Sequence, residues 1–280
     1  MSSPEPTAIQ HTYRVREDDS VLSEVAAVTC VLMPRSLLVG GFNADGRLVM
    51  ARYHSYKEGT AAWSPAFFEQ EFMTDTLLGM PQQLKAVFIG AREELLIPNE
   101  LYDDHAARLW MEKLQAICPD DIVYSYGLSL AEARYTFALP SGMDKLLHRY
   151  FGQTRIIPVA AYQFYKPDSF QPQLMQCMIG PDTVIATLHQ AGRLLWHQQF
   201  EYSVTEDIVW KFTQLCRELR IALVDLQIVS TCVDVDQFEI GPELEQYFPK
   251  IRWSAGSVMS EAGDWTPVVY LLQQLYACAL

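Results

Sequence analysis

Two runs, Cys177-Met178-Ile179-Gly180-Pro181-Asp182-Thr183-Val184-Ile185-Ala186 and His189-Gln190-Ala191-Gly192-Arg193-Leu194-Leu195-Trp196, decide the fold, because the chain carries the same pattern earlier. The earlier copy reads Cys30-Val31-Leu32-Met33-Pro34, Leu37-Leu38-Val39, Asn43-Ala44-Asp45-Gly46 and Arg47-Leu48-Val49-Met50. In both, a Gly-Arg-Leu triplet follows a polar turn and opens a third apolar run, which predicts a three-stranded meander joined by hairpin turns. A helix follows each meander. In the second copy Ser203-Val204-Thr205-Glu206 fits a capping box, and Ile208, Phe212, Leu215 and Leu219 keep one apolar face. In the first, Ser64-Pro65 reads as a cap with proline at the first helical position, ahead of Phe68 and Phe72. Order and turn chemistry match together, which points to an internal duplication.

Outward from these meanders, the predicted order in each half is β-β-β-α-β-α-β-α. That is the order of a ribonuclease H-like lobe, and two such lobes make an actin-like α/β architecture, each lobe a mixed five-stranded sheet with helices. Residues 1–20 are polar and expected to be flexible. The first lobe is placed at 21–166 and carries extra material at about 91–132, including a helix from Glu100 to Ile117 with Leu101, Leu109, Leu114 and Ile117 towards one side. Its fourth strand is either Lys85 to Gly90 or Arg134 to Leu139. The second lobe is placed at 167–280, after the proline-containing stretch Tyr165 to Pro172, and ends in a helix that starts near Asp264 or Thr266.

Several of these stretches also carry a family likeness. The Gly-Arg-Leu meander, Leu96-Ile97-Pro98 before Leu101-Tyr102, Phe137-Ala138-Leu139-Pro140, and Phe200-Glu201-Tyr202 before Thr205-Glu206-Asp207 together resemble the uncharacterised bacterial family called domain of unknown function 3822. The resemblance covers nearly the whole chain after about residue 20. It implies an actin-like ATPase fold and supplies no chemistry.

Composition narrows the function classes. Half of the 280 residues are hydrophobic, as a folded globular chain requires, and the formal net charge is -13. Such an acidic balance opposes binding to a phosphate backbone, so nucleic acid is not an expected partner. No apolar run approaches the roughly 20 residues of a membrane span, and the first residues lack the core of a signal peptide. A cytoplasmic location away from membranes is expected. The six cysteines, Cys30, Cys118, Cys177, Cys216, Cys232 and Cys278, show no paired spacing and are expected as buried small hydrophobes.

Actin-like ATPases hold nucleotide between lobes, with an Asp and a Gly in each first hairpin meeting phosphate and hydrated magnesium. Here the first hairpin is Met33-Pro34-Arg35-Ser36, with neither residue type. The second, Gly180-Pro181-Asp182-Thr183, has both in another order, and Pro181 lacks an N–H. The adenosine side would fall to Gly256 and Ser257. The weak candidates for a nucleotide cleft are therefore Arg35, Ser36, Asp182, Thr183, Gly256 and Ser257, with Arg35 expected to obstruct a phosphate.

Other patterns reduce to structure. Gly41 to Gly46 mimics a Walker A spacing but lacks its Lys and Ser/Thr, and Asp234-Val235-Asp236 ahead of Glu239 has its glycine too late for a calcium loop. The histidines lack metal-binding spacings and are expected at strand surfaces, although His189 and His197 flank one hairpin. Tyr162, Phe164, Tyr165 and Phe170 are expected to form an apolar groove or partner surface. The expectation is a catalytically silent scaffold or protein-binding module with an unknown protein partner and no cofactor. Its alternatives are an ATP- and magnesium-binding protein with rearranged loops, or a small-molecule sensor.

Overall fold

Runs rich in Val, Leu and Thr, bounded by Pro and Gly turns, form two antiparallel meanders, each prolonged by parallel strands. The computed structural model describes residues 8–14, 19–56, 62–79, 84–128, 131–152, 154–164, 172–233, 240–254 and 266–280. In chain order these hold β1 (Ala8–Arg14), β2 (Ala27–Met33), β3 (Ser36–Phe42), β4 (Leu48–Tyr56), α1 (Pro65–Thr74) and β5 (Leu84–Ile89). Next come β6 (Glu94–Pro98), α2 (Ala107–Leu114), β7 (Ile122–Leu128), β8 (Ala133–Leu139), α3 (Ser141–Phe151) and β9 (Arg155–Pro158). The later part holds β10 (Gln173–Ile179), β11 (Thr183–Gln190), β12 (Arg193–Glu201), α4 (Thr205–Leu219), β13 (Gln227–Cys232), α5 (Gly241–Glu245), β14 (Ile251–Trp253) and α6 (Thr266–Ala279).

The sheets run β1-β4-β3-β2-β5-β9 and β12-β11-β10-β13-β14, so the second reproduces the first without its outermost strand. The correspondence reaches single residues. Cys30 and Leu32 lie beside Val87 and Ile89, while Cys177 and Ile179 lie beside Ser230 and Cys232. At the end of the parallel pair the Gly90 N–H donates to the Leu32 carbonyl, and the Val233 N–H donates to that of Ile179. Both meanders also break register at one place. Gly41 faces Met50 and Phe42 faces Leu48, leaving Val49 extra; Leu188 faces Trp196 and His189 faces Leu194, leaving Leu195 extra. A bulge is a local choice of the chain, so its recurrence beside the same Gly-Arg-Leu triplet marks one design used twice. Those triplets begin at Gly46 and Gly192, whose φ of 74° and 77° suit a residue without Cβ.

The chain divides into one unit of Met1–Ala161 with Leu272–Leu280 and a second of Tyr162–Leu271. The division therefore falls earlier than residue 166, and the last part of α6 groups with the first unit. Within that unit Tyr276 stacks on Phe42 with ring centres 4.2 Å apart. The first sheet has six strands rather than the expected five, because part of the segment expected to be flexible, β1, pairs with β4 from Met50 to Tyr56. In the second unit the helical face of the sheet buries Met175, Val184, Leu188, Ile208, Phe212, Leu226 and Phe248 in one cluster.

The inserted material makes its own three-stranded sheet in the order β6-β8-β7. This resolves the fourth strand of the first lobe as β5, which lies parallel to β2, and extends the insertion to include β8. The helix expected over Glu100 to Ile117 is shorter. The Asp103 carboxylate accepts the His105 N–H at 2.9 Å, and the Tyr102 hydroxyl donates to Asp104 at 2.8 Å, so local side-chain bonds form a turn before α2 begins. The face turned inward carries Ala107 and Met111, and Leu101, Leu109 and Leu114 are exposed, against expectation. The start of α4 also differs from the expected box. The Asp207 carboxylate accepts the N–H groups of Ser203 at 2.8 Å and Val204 at 3.2 Å, where the expected box has Glu206 accepting the Ser203 N–H.

Candidate functional site

The two first hairpins are where a nucleotide-handling protein of this architecture would present backbone N–H groups. Pro34 and Arg35 form the turn between β2 and β3, and Pro181 and Asp182 the turn between β10 and β11. In the first, the Tyr56 N–H donates to the Arg35 carbonyl at 3.2 Å, and the Tyr56 hydroxyl donates to that of Pro34 at 2.7 Å. The Trp63 N–H reaches the same Pro34 carbonyl at 2.6 Å. In the second, the Tyr202 N–H donates to the Asp182 carbonyl at 3.1 Å, and its hydroxyl donates to that of Gly180 at 2.6 Å. A tyrosine at the end of the third strand therefore closes each turn from behind.

These contacts occupy carbonyl groups of both turns. Proline removes one donor from each, and the Gly180 N–H is spent on the Thr183 carbonyl at 2.7 Å. A phosphate cradle draws on several convergent N–H groups, and each of these turns has one donor fewer for its proline. The Thr183 hydroxyl donates to the Asp182 carboxylate at 2.8 Å. Ser36 and Thr183 are buried, while Arg35 is half-buried. The structure sets Arg35 with Ser36 in the first unit, and Asp182 with Thr183 in the second, at matching positions of the two meanders. Gly256 and Ser257 lie outside the described residues, as do Asp234 to Glu239.

Among the described residues one buried charged cluster was not among these candidates. His54 on β4 is buried and bonded on both ring nitrogens: Nδ1 is 2.7 Å from Glu71 on α1, and Nε2 is 3.1 Å from Asp75 just beyond it. Asp75 is also 3.4 Å from the Arg52 guanidinium, which donates to the Thr76 hydroxyl at 2.9 Å. The Asp75 carboxylate further accepts the N–H groups of Leu77 at 2.8 Å and Leu78 at 3.3 Å, closing the turn after α1. Burial pulls the pKa of His54 down, but hydrogen bonds to Asp75 and Glu71, with their charges, overcome this and raise it to about 9. Burial likewise acts to raise the Asp75 carboxyl, and the His54 bond and the Arg52 charge outweigh it, so its pKa is lowered. His54 is thus an imidazolium held between two carboxylates, where the sequence predicts a surface histidine.

A family model for "Protein of unknown function (DUF3822)" matches residues 43–251. The chain belongs to this family. Comparison with curated proteins finds no match. Among solved structures, a Bacteroides thetaiotaomicron protein with actin-like ATPase fold and unknown function is similar at a TM-score of 0.71 and 15% identity, over 94% of this chain and 100% of that one. A structure described as the PilM-PilN type IV pilus biogenesis complex is similar at a TM-score of 0.62 and 11% identity, over 91% of this chain and 99% of that one. At such identities the likeness shows the fold, and the fold of this DUF3822 chain is the actin-like ATPase fold. Among the described residues no helix is long and apolar enough to cross a membrane.

The second unit of the DUF3822 chain has a polar network on the sheet face opposite α4. The Thr187 hydroxyl donates to the Gln163 side-chain carbonyl at 2.7 Å and lies 2.9 Å from His197 Nδ1. The Gln163 amide donates to the Ile185 carbonyl at 3.1 Å, and the Tyr162 hydroxyl meets that of Thr231 at 2.9 Å. Phe164 packs on His197 with ring centres 4.9 Å apart. Tyr162 and Phe164 are thus core residues rather than a partner surface; Tyr165 and Phe170 lie outside the described residues. His189 is buried as well, and its pKa is lowered by burial and by the nearby His197. Among the cysteines, Cys30, Cys177, Cys216 and Cys232 are buried as expected, but Cys118 is exposed. The described residues hold no cluster of three or more His, Cys, Asp or Glu able to bind a metal ion.

Proposed function

We propose that this DUF3822 protein is a catalytically silent actin-like scaffold, a cytoplasmic module that binds another protein rather than turning over nucleotide. The observation that carries this reading is the pair of tyrosine-closed hairpins: Tyr56 and Tyr202 occupy the turn carbonyls, and Pro34 and Pro181 remove turn N–H groups. A turn braced in this way is rigid without a ligand. The likeness to the PilM-PilN complex supports the reading by analogy of fold, since that architecture also occurs in a protein assembly.

Nucleotide binding is the competing reading, and Asp182 beside Thr183 favours it, because a carboxylate and a hydroxyl there are the residue types that position hydrated magnesium. A thermal-shift titration with ATP and magnesium separates the two. Ligand at about 100 times its dissociation constant stabilises by about 2.7 kcal/mol, a rise of roughly 5–10 °C for a unit of this size. The scaffold reading expects no saturable shift. A shift that Asp182→Ala abolishes overturns it in favour of nucleotide.

A further inference from the structure

Every sheet edge in a folded protein offers unpaired N–H and C=O groups, and chains defend such edges with charges, proline, bulges or brevity. The six-stranded sheet ends in β1, which carries His11 and Arg14, and in β9, which is four residues long and ends in Pro158. In the five-stranded sheet, β14 has three residues, while β12 carries Arg193, Glu201 and the bulge at Leu195. In the inserted sheet, β6 has Glu94 and Pro98. The remaining edge is undefended: β7 runs seven residues, Ile122-Val123-Tyr124-Ser125-Tyr126-Gly127-Leu128, with neither charge nor proline.

That edge has a cation placed beside it. Arg134 on the central strand β8 pairs with Gly127, and its guanidinium lies over that glycine, which has no side chain to displace it. A Cβ built on Gly127 would lie 3.6 Å from an Arg134 terminal nitrogen, with nothing but that guanidinium within 4 Å. From the other side the guanidinium is carried on the Tyr102 ring, 5.0 Å from its centre. Asn99, Tyr102, Gly127, Leu128, Ala133 and Arg134 line a depression of about 420 Å³ there. Among the described residues no carboxylate pairs with Arg134, although the chain is strongly acidic.

We propose that β7 is a docking edge for an extended peptide segment of a partner protein, which adds as a fourth strand and sets a side-chain carboxylate on Arg134 across Gly127. The main-chain ladder supplies affinity, and the guanidinium, planar and already stacked, selects a carboxylate at one position. A second copy of this chain is the poorer occupant, because β7 contains no Asp or Glu to meet Arg134. Glu100, Asp103, Asp104 and Glu132 lie near the depression in sequence, so one carboxylate in an otherwise uncharged strand suits it better than an acidic run. The proposal rests on the protein-binding reading above and names the chemistry of the partner segment.

The test uses the full chain and an amidated pentapeptide, fluorescein-labelled at its N-terminus through a glycine spacer, with a central glutamate flanked by valines and outer threonines, and with a glutamine version as control. Fluorescence anisotropy is expected to give saturable binding of the glutamate peptide and about tenfold weaker binding of the glutamine one. Arg134→Gln should erase that difference, and the glutamate peptide should slow amide exchange over residues 122–128. Circular dichroism checks that the variant folds, and the exchange readout on the unaltered chain stands without it. Four results overturn the proposal: no saturable binding up to about 1 mM, equal binding of glutamate and glutamine peptides, discrimination that survives Arg134→Gln, or residues 122–128 already protected in a dimer of this chain. A saturable ATP shift would instead overturn the scaffold reading, so the two failures are distinguishable.

Discussion

Replacing His54 with glutamine should cost the first unit about 3 kcal/mol near pH 6.5, and that cost should fade as pH rises. The magnitude follows from the imidazolium held between Glu71 and Asp75. Its pKa rises from an ordinary 6.5 to about 9, and each pKa unit corresponds to about 1.36 kcal/mol. Loss of one partner from a buried ion pair, on the order of 3–5 kcal/mol, gives a similar figure. The sign follows from proton linkage. Between about pH 6.5 and 9 the folded state holds a proton that the unfolded chain releases, so His54 stabilises fully below its unfolded pKa, and the stabilisation is lost as pH rises through 9. Asp75 acts at the other end: its lowered pKa stabilises above the unfolded carboxylate value and is lost as pH falls through the folded one. Urea unfolding of both proteins at pH 6.5, 8 and 9.5, followed by amide exchange in Pro65–Thr74 and the turn after it, isolates the first unit. The expected result is a wild-type stability that declines over this range and a variant curve that is nearly flat. Parallel curves offset by a constant would refute the imidazolium and leave only a packing role for His54.

The remaining outcomes test the hairpins, the cofactor reading and the inserted sheet. Tyr56→Phe and Tyr202→Phe each remove one hydroxyl from a turn carbonyl, so each should lower stability by about 1 kcal/mol, measured by urea denaturation. Tyr56→Phe should cost more, because the Tyr56 oxygen also accepts the Ser64 N–H at 3.3 Å. ATP with magnesium should leave the melting temperature unchanged. The central-glutamate peptide should bind along β7 in preference to its glutamine counterpart.

Much of the fold was legible because meanders announce themselves locally: Gly46-Arg47-Leu48 and Gly192-Arg193-Leu194 fix two hairpins through backbone geometry that any reader of turn chemistry can recover. Local signals failed where a distant partner decided the outcome. Ala8–Arg14 mixes polar and apolar residues without a clean alternation, and it becomes a strand only because the β4 edge is there to pair with. Leu109 and Leu114 read as a core face, yet Asp103 and Asp104 rebuilt the helix start, and Met111 took the inward position. The charge cluster around His54 was missed although a signal existed. Phe67, Phe68 and Phe72 define the buried face of α1, and Glu71 falls on that same face, so a carboxylate there needs a cation from elsewhere. Reading helices for misplaced charges as well as for apolar periodicity would have found it.

The two copies finally show what the cluster is not required for. His54 faces Leu37 across the ladder as Phe200 faces Val184, so the two side chains stand at one position of the repeated sheet. In the second unit that position is filled by a ring packed edge-on against Phe212, with centres 5.9 Å apart. The architecture therefore needs volume there and tolerates either solution. A buried ion pair costs desolvation that apolar packing avoids, and replacing such groups together is often neutral or stabilising, whereas removing one alone is not. The triple variant His54→Phe, Glu71→Leu, Asp75→Asn should accordingly recover most of the roughly 3 kcal/mol lost by His54→Gln. The side-chain carbonyl introduced by Asp75→Asn would keep an acceptor for the Leu77 N–H. Stability of the triple variant should no longer fall between pH 6.5 and 9, as urea unfolding at both values will read. A triple variant as weak as the single one would mean that this sheet position in the first unit has no room for a ring, and that the charges are what α1 folds around.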